Sequence, residues 1–258
     1  MTLSPARAHR MRCIAAAVAT VASAQAIANG THIDPSLVTG YELVLAQLDE
    51  HRRQLKQIQS IANKAEAKRR FLPEYAAYVG GALQADRGGQ DDVIMTIMVW
   101  RLDVADYTGA LHIAEYALRH GLTLPDQYKR DLPTLIAEEL AEAAFKSRSS
   151  GTAFDTGVLL AGLQLTAERD MPDEVRAKLH KAIAYTLRDH AELQAEPATL
   201  EQLQQIRSHL TTALALHAGA GVKKDIERMD TKIKALTPAD STEKGQTKPP
   251  AASQDGAG

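Results

Sequence analysis

The sequence predicts an all-α protein, a multi-helix bundle with tetratricopeptide-like helical hairpins and a long N-terminal helical arm. Three observations predict this class. Alanine is abundant and only 4% of the 258 residues are aromatic, a composition that favours close helix packing over sheets. Apolar residues recur at spacings of three and four, and no segment alternates convincingly with a period of two. Capping residues, glycines and prolines separate the periodic segments.

The first predicted helix begins at Pro5, after the N-cap Ser4, and stops at Asn29-Gly30. A secretory signal peptide is the alternative interpretation, because arginines precede an alanine-rich run and cleavage could follow Ala26. The run from Ile14 to Ala24 is mostly alanine, so we predict a mature helix instead. No apolar run is long enough to span a bilayer. This helix carries three cations: Arg7, Arg10 and Arg12.

A long second helix is predicted from Leu37 to Phe71. One face is an apolar, heptad-like seam that predicts a subunit interface. The seam consists of Tyr41, Val44, Leu48, Leu55, Ile58, Ala62 and Ala65. The other faces are basic, with few acids, and predict phosphate contacts. Their cations are Arg52, Arg53, Lys56, Lys64, Lys68, Arg69 and Arg70. A solvated face on a core helix is the alternative interpretation.

Pro73 is predicted to begin a short helix that ends near the turn at Gly88-Gly89. A helical hairpin follows. Its first helix, from Val93 to Leu102, is apolar nearly all the way round, and a helix of that kind must be buried. Its second helix has Thr108 as the predicted N-cap and Gly121 as the left-handed residue after the last turn.

Further helices are predicted at 134–146, at 155–168, from Met171 onward, at 200–217 and at 222–236. The chain therefore divides into four predicted parts. These are a basic helical arm for phosphate contact and oligomerisation at 1–72, a central helical core at 73–147, a C-terminal helical domain at 148–236, and a disordered tail at 237–258.

Several classes of site are absent from the sequence. There is no glycine-rich phosphate loop ending in Gly-Lys-Ser/Thr, so we predict no ATP site of that type. No cysteine and histidine cluster has zinc spacing, and we expect no cofactor. The single cysteine, Cys13, rules out an internal disulfide framework and suits a reducing cytosol.

Acidic residues raise the alternative of a metal-dependent nuclease, which needs carboxylates converging on a divalent ion. The catalytic residues are unknown, and Asp91 and Asp92 are the candidates, with magnesium as cofactor only under that hypothesis. Asp103 lies on a similar helix face to Asp92 but about 16 Å away at 1.5 Å rise per residue, too far to share one ion. We interpret Asp91 and Asp92 as first-turn acids that favour the helix dipole. His112 and Glu115 are a further ligand-like pair, and an exposed helix pair is the alternative.

The chain resembles the phage small terminase subunit family, which works with a large ATPase subunit. The resemblance is carried, in family order, by residues 1–6, Gln90-Asp91-Asp92, Met95-Thr96, Met98, residues 100–103, 109–111, 113–114, 116–118 and 121–123, the long run 171–181, and residues 220–224. It covers most of the chain up to about Leu236. The chain departs from the family pattern between about Asp189 and Thr199, and in a tail with fewer basic residues.

The resemblance implies a packaging protein in the cytoplasm of the bacterial host. Such a subunit binds double-stranded phage DNA at the packaging, or cohesive-end, site and recruits or regulates the large terminase ATPase subunit. Endonuclease activity is attributed to the complex, and no nuclease centre is assigned to this chain. We expect a homo-oligomer with no membrane association. The alternatives are a non-enzymatic helical-repeat adaptor that is exported, and the metal nuclease.

Overall fold

The computed structural model describes residues 4–21, 35–193 and 197–237, and every regular element in these ranges is an α-helix. The all-α prediction is therefore confirmed. In chain order the helices are α1 Pro5–Val21, α2 Pro35–Gln57, α3 Ile61–Ala85, α4 Asp92–Asp103, α5 Tyr107–His120, α6 Leu132–Ser149, α7 Thr156–Thr166, α8 Asp173–Leu193, α9 Leu200–Leu216 and α10 Lys223–Leu236. None of these described helices has the length and hydropathy needed to cross a bilayer. The predicted tail and the residues around Ala26 lie outside the described ranges.

Helix α4 lies at the centre of the main core. Nine of its twelve residues are buried, which confirms the prediction made from its apolar surface. Helices α2, α3 and α5 all pack against it. Trp100, near its C-terminal end, contacts the rings of Phe71 and Tyr75 on α3. A helix that is apolar on all sides needs neighbours on all sides, and this requirement places α2 and α3.

Helix α1 packs against α3 and α2 through Met11, Ile14 and Ala15, which are buried. Its backbone closely approaches α3 at Gly81. A Cβ atom placed on Gly81 would lie 2.4 Å from the Cα of Arg12, a distance that no side chain tolerates. The glycine is therefore required by the contact between the two helices.

The path of the basic region differs from the sequence prediction in two places. The single helix expected from Leu37 to Phe71 is interrupted after α2, and α3 begins at Ile61, where the Ser60 hydroxyl accepts from the Asn63 N–H at 3.3 Å. The prediction that Pro73 begins a new helix is also wrong, because α3 continues through it. A proline inside a helix loses one hydrogen bond, and the buried rings of Tyr75 and Tyr78 on α3 provide compensating packing.

The cap of α5 also differs from the prediction. Asp106, and not Thr108, is the N-cap, and its carboxylate accepts from the Gly109 N–H at 3.1 Å. Aspartate and threonine are both good caps, so the choice between positions two residues apart depends on where α4 ends. Gly121 adopts the left-handed conformation after the last turn, with φ of 71°, as predicted.

The C-terminal helices have a second, smaller core. Helix α8 contributes Leu179 and Ile183 to the main core and Ala184 to this second cluster. The cluster is completed by Leu203, Ile206 and Leu210 of α9, by Val222 at the N-cap of α10, and by Met229 of α10. The α9–α10 hairpin packs on α8, which therefore joins the two cores.

Asp91 is a buried carboxyl group at the N-terminus of α4, with 1% of its surface exposed. One oxygen accepts from the N–H groups of Val93 and Ile94 at 2.9 and 3.2 Å, and the other accepts from the Tyr78 hydroxyl at 2.6 Å. Burial raises the pKa of Asp91 to about 6, although these three hydrogen bonds act in the opposite direction. The residue is thus a cap that links α4 to α3.

We predict that Gly81→Ala destabilises the protein by about 1–3 kcal/mol, because the new methyl group would force α1 away from α3. Gly80→Ala is the matched control, since a Cβ at Gly80 meets nothing within 4 Å and alanine favours a helix by about 0.5–1 kcal/mol over glycine. Urea denaturation measures both changes. Equal free energies of unfolding for the two variants would contradict the close contact.

We predict that Asp91→Asn changes the pH dependence of stability. Since the folded pKa of Asp91 is raised from 3.8 to about 6, its contribution to wild-type stability is complete below pH 3.8 and is lost as the pH rises through about 6. An asparagine does not titrate. The free energy of unfolding of the wild type, measured relative to that of Asp91→Asn, should therefore fall by about 2 kcal/mol between about pH 4.5 and about pH 7.5.

The exposed neighbour Asp92 provides the control for this measurement. Urea denaturation of the Asp92→Asn variant across the same range should retain most of the wild-type pH dependence, because the charge of Asp92 is the smallest of the causes that shift the pKa of Asp91. Parallel profiles for wild type and Asp91→Asn would show that Asp91 does not titrate as its burial requires.

Candidate nucleic-acid interface

The cations of α1 are exposed and unpaired. Arg7, Arg10 and Arg12 lie on the outer surface of the helix, and α1 contains no acidic residue. Their side chains form no ion pair or hydrogen bond within the part of the chain that the structure describes. Because Met11, Ile14 and Ala15 are buried against the rest of the fold, the arginines are presented on a docked helix. They concentrate positive charge on about two turns.

Two cations of the predicted basic face connect α2 and α3 to α4. The Arg52 guanidinium donates to the Thr96 hydroxyl at 2.7 Å and to Asp49 at 3.1 Å, and its side chain is 26% exposed. The Lys68 ammonium donates to Asp103 at 2.5 Å, and its side chain is 16% exposed. Both side chains therefore bind within the fold, which lowers the charge they can present to solvent.

Two further cations form exposed pairs with acids one turn away on their own helix. Arg53 pairs with Glu50 at 2.8 Å, and Arg69 pairs with Glu66 at 3.2 Å. Exposed pairs of this kind contribute about 0–1 kcal/mol, so a phosphate group can replace the carboxylate at small cost. Both arginines remain available for a charged ligand.

Three cations have no ion pair with any residue in the described ranges: Lys56, Lys64 and Arg70. Lys56 lies in the last turn of α2 and Lys64 in the first turn of α3, so they flank the short connection between the helices. No acidic residue occurs between Glu50 and Glu66. Unpaired lysines and arginines without neighbouring acids are the groups that release counterions when they bind phosphate.

The structure separates the predicted acidic residues. Asp91 is the buried cap described above, whereas Asp92 is exposed. Asp103 pairs with Lys68, and Asp106 pairs with Arg101 while it caps α5. The carboxylates of these four residues thus have different partners and environments.

Glu115, which the sequence analysis paired with His112, forms an exposed ion pair with Arg119 at 3.1 Å. Within residues 4–21, 35–193 and 197–237, no three His, Cys, Asp or Glu side chains are grouped so that they could hold a metal ion.

The apolar seam predicted as a subunit interface is largely used inside the chain. Val44, Leu48 and Leu55 are buried in the main core, and Tyr41 and Ile58 are partly buried against it. Three of the seven seam residues are therefore unavailable to another copy. Leu43, on a different face of α2, is 60% exposed.

Sequence analysis missed the corner between α2 and α3. The corner comprises residues 56–63, and seven of these eight residues are exposed. Ile61 is 83% exposed, the highest value among the large hydrophobic residues exposed in the described ranges. The signal that could have revealed the corner is Ser60, a good N-cap within an otherwise helical pattern. Continuous helical periodicity across this region concealed it.

Two known phage proteins are similar in sequence to this chain. The "Terminase, endonuclease subunit" of Escherichia phage P2 is 42% identical over 231 residues, which span 90% of this chain and 86% of that protein. The "Probable terminase, endonuclease subunit" of Haemophilus phage HP1 (strain HP1c1) is 25% identical over 179 residues, 68% of this chain and 64% of that protein.

No solved structure gives a significant match to the chain. The profile of one protein family, described as "Phage small terminase subunit", matches residues 45–174. The matched region extends from the middle of α2 to the start of α8 and includes the corner, the central helix α4 and its shell. By this match and by its identity to the phage P2 protein, the chain belongs to the phage small terminase subunit family.

Proposed function

We propose that the chain binds double-stranded phage DNA at the packaging site and presents it to the large terminase ATPase subunit, in the cytoplasm of the infected bacterium. The observation that carries this proposal is the set of cations on α1 and at the α2–α3 corner that have no acidic partner in the described ranges, all of them exposed except the half-buried Lys64. In a chain with net charge −2, such a local concentration of unpaired cations is the feature that would attract a polyanion. Family membership favours this hypothesis over the exported adaptor.

We assign different roles to the cations. The unpaired group, Arg7, Arg10, Arg12, Lys56, Lys64 and Arg70, would contact phosphates directly. Arg53 and Arg69 would exchange their exposed carboxylate partners for phosphates. Arg52 and Lys68 would mainly hold α2 and α3 against α4, since their partners lie on that helix. Phosphate contacts of this kind position a duplex without reading its sequence.

The assembly and the partner surface form a second part of the proposal. Copies of the chain would associate through the outer face of α2 marked by Leu43, since most of the seam is used internally. Helices α8, α9 and α10, with their own small core, would form the scaffold that docks the large subunit. The tetratricopeptide-like hairpins and the division at 1–72, 73–147 and 148–236 stay predictions. The first of these boundaries falls inside α3.

Both relatives are named as endonuclease subunits, and we propose that cleavage requires the complex with the large subunit. The carboxylate of Asp91 supports this assignment, because both of its oxygens accept hydrogen bonds from within the fold. A metal ligand at that position would have to break the cap of the central helix. Asp92 is exposed, and within the described ranges it belongs to no group of three or more His, Cys, Asp or Glu side chains that could hold a metal ion.

We predict that Lys56→Ala, Lys64→Ala and Arg70→Ala together weaken binding to packaging-site DNA. The slope of log affinity against log salt should fall by about 3, since each phosphate contact contributes about 0.9. Electrophoretic shifts over a range of salt concentrations measure this slope. The matched control replaces Lys223, Lys224 and Lys234 of the C-terminal hairpin, which removes the same charge elsewhere. An equal loss for the two triple variants would show only a general charge effect.

We predict that the purified chain with magnesium leaves supercoiled plasmid intact, and that nicking appears when the large subunit is added. Asp92→Asn should leave the activity of the complex unchanged, because this residue lies outside the proposed chemistry. Agarose electrophoresis separates the supercoiled and nicked forms. Nicking by the chain alone that is lost in a folded Asp91→Asn variant would place the nuclease centre in this polypeptide.

A further inference from the structure

The corner at residues 56–63 combines three kinds of exposed side chain in one short segment. Gln57, Gln59 and Asn63 are exposed amides whose side chains have no hydrogen-bond partner within the described ranges. Ile61 lies among them and is 83% exposed. Lys56 and Lys64 flank them and are unpaired. Leu55 and Ala67, one turn before and two turns after the Ser60 cap, are buried and fix the corner to the core.

This composition differs from that of an ordinary solvated corner. A large aliphatic side chain left in water costs free energy compared with a buried one, so its near-complete exposure suggests a surface that another molecule covers. The surrounding side chains carry no negative charge, since no acid occurs between Glu50 and Glu66. The molecule that covers the corner is therefore expected to be anionic at its edges and apolar at its centre.

From this juxtaposition we infer that the α2–α3 corner reads base edges in the major groove of DNA, with Ile61 against thymine methyl groups and the amides of Gln57, Gln59 and Asn63 on neighbouring bases. The inference rests on the proposed DNA binding and assigns sequence recognition to this element. Lys56 and Lys64 contact the phosphates on either side.

The chemistry of the groove matches these side chains. The major groove exposes the C5 methyl group of thymine, and adenine presents an acceptor and a donor that pair with the two ends of an Asn or Gln amide. The groove is about 12 Å wide, enough to admit a helix and therefore its exposed first turn. The corner thus favours A·T base pairs, whereas the lysines alone would bind any sequence.

The first test measures the ratio of affinities for packaging-site DNA and for a duplex of scrambled sequence. Ile61→Ala and Asn63→Ala should each lower this ratio by about tenfold, with affinity for the scrambled duplex changed less than about twofold. Lys64→Ala should instead weaken both affinities and lower the salt slope by about 1. Leu193→Ala, which shortens an aliphatic residue at the end of α8 that is 76% exposed, is the matched control for binding without the large subunit and should change neither.

The second test removes the thymine methyl groups from the DNA. Packaging-site duplex made with deoxyuridine in place of thymidine should bind the wild-type chain about fivefold more weakly, because the apolar contact is lost. The Ile61→Ala variant should bind both duplexes equally. This comparison uses the full chain, and circular dichroism of each variant establishes that the helices are intact.

Results that differ from those expected in the two tests overturn either this inference or the proposed function. Failure of the wild-type chain to bind either duplex contradicts the proposed function itself. Equal binding of the thymidine and deoxyuridine duplexes by the wild type overturns the inference while leaving DNA binding in place. An unchanged ratio of affinities for packaging-site and scrambled DNA in Ile61→Ala does the same. A change in native mass of the Ile61→Ala variant would assign the corner to contacts between copies of the chain, and would also overturn it.

Discussion

The burial of α4 on all sides is the constraint on which the rest of the structure depends. A helix with nine buried residues among twelve requires a shell, and α2, α3 and α5 provide it. Its N-terminus is closed by the Asp91 carboxyl group, which also bonds to Tyr78 of α3. Its C-terminal end holds α3 through the pair of Asp103 with Lys68. The position of the basic helices is thus set by the apolar helix that they cover.

This arrangement explains why the cations of α2 and α3 fall into different groups. Those next to α4, Arg52 and Lys68, reach polar partners on it and are partly buried. Lys56 and Lys64 lie where the two helices leave the core, beyond reach of α4 or of an acid on their own helix. Unpaired charge therefore lies at the connection between the two helices, whose residues are mostly exposed, so a large anionic partner can approach it without disturbing the core.

With the corner, the proposed interface has two kinds of contact. Cations on α1 and around the corner offer a nonspecific attraction, which depends on salt and tolerates any sequence. The uncharged side chains of the corner, the exposed amides and Ile61, can form contacts that depend on the base sequence of the partner. Among the described helices, the C-terminal hairpin packs on the rest of the fold mainly through α8, so a partner on α9 or α10 need not compete with the proposed DNA contacts. The two proposed binding surfaces therefore lie on separate helices.

The sequence by itself determined the all-α class, the burial of α4 and the glycine cap after α5, because periodicity, apolar content and cap chemistry are local properties of the chain. Only the tertiary structure decided that the basic region breaks at Ser60, that α3 continues through Pro73, and that Val44, Leu48 and Leu55 face inward. These outcomes depend on what each helix packs against, and packing can outweigh a local helix-breaking or helix-continuing preference of about 1–3 kcal/mol. For the same reason, a list of basic residues could not show which of them lack an acidic partner.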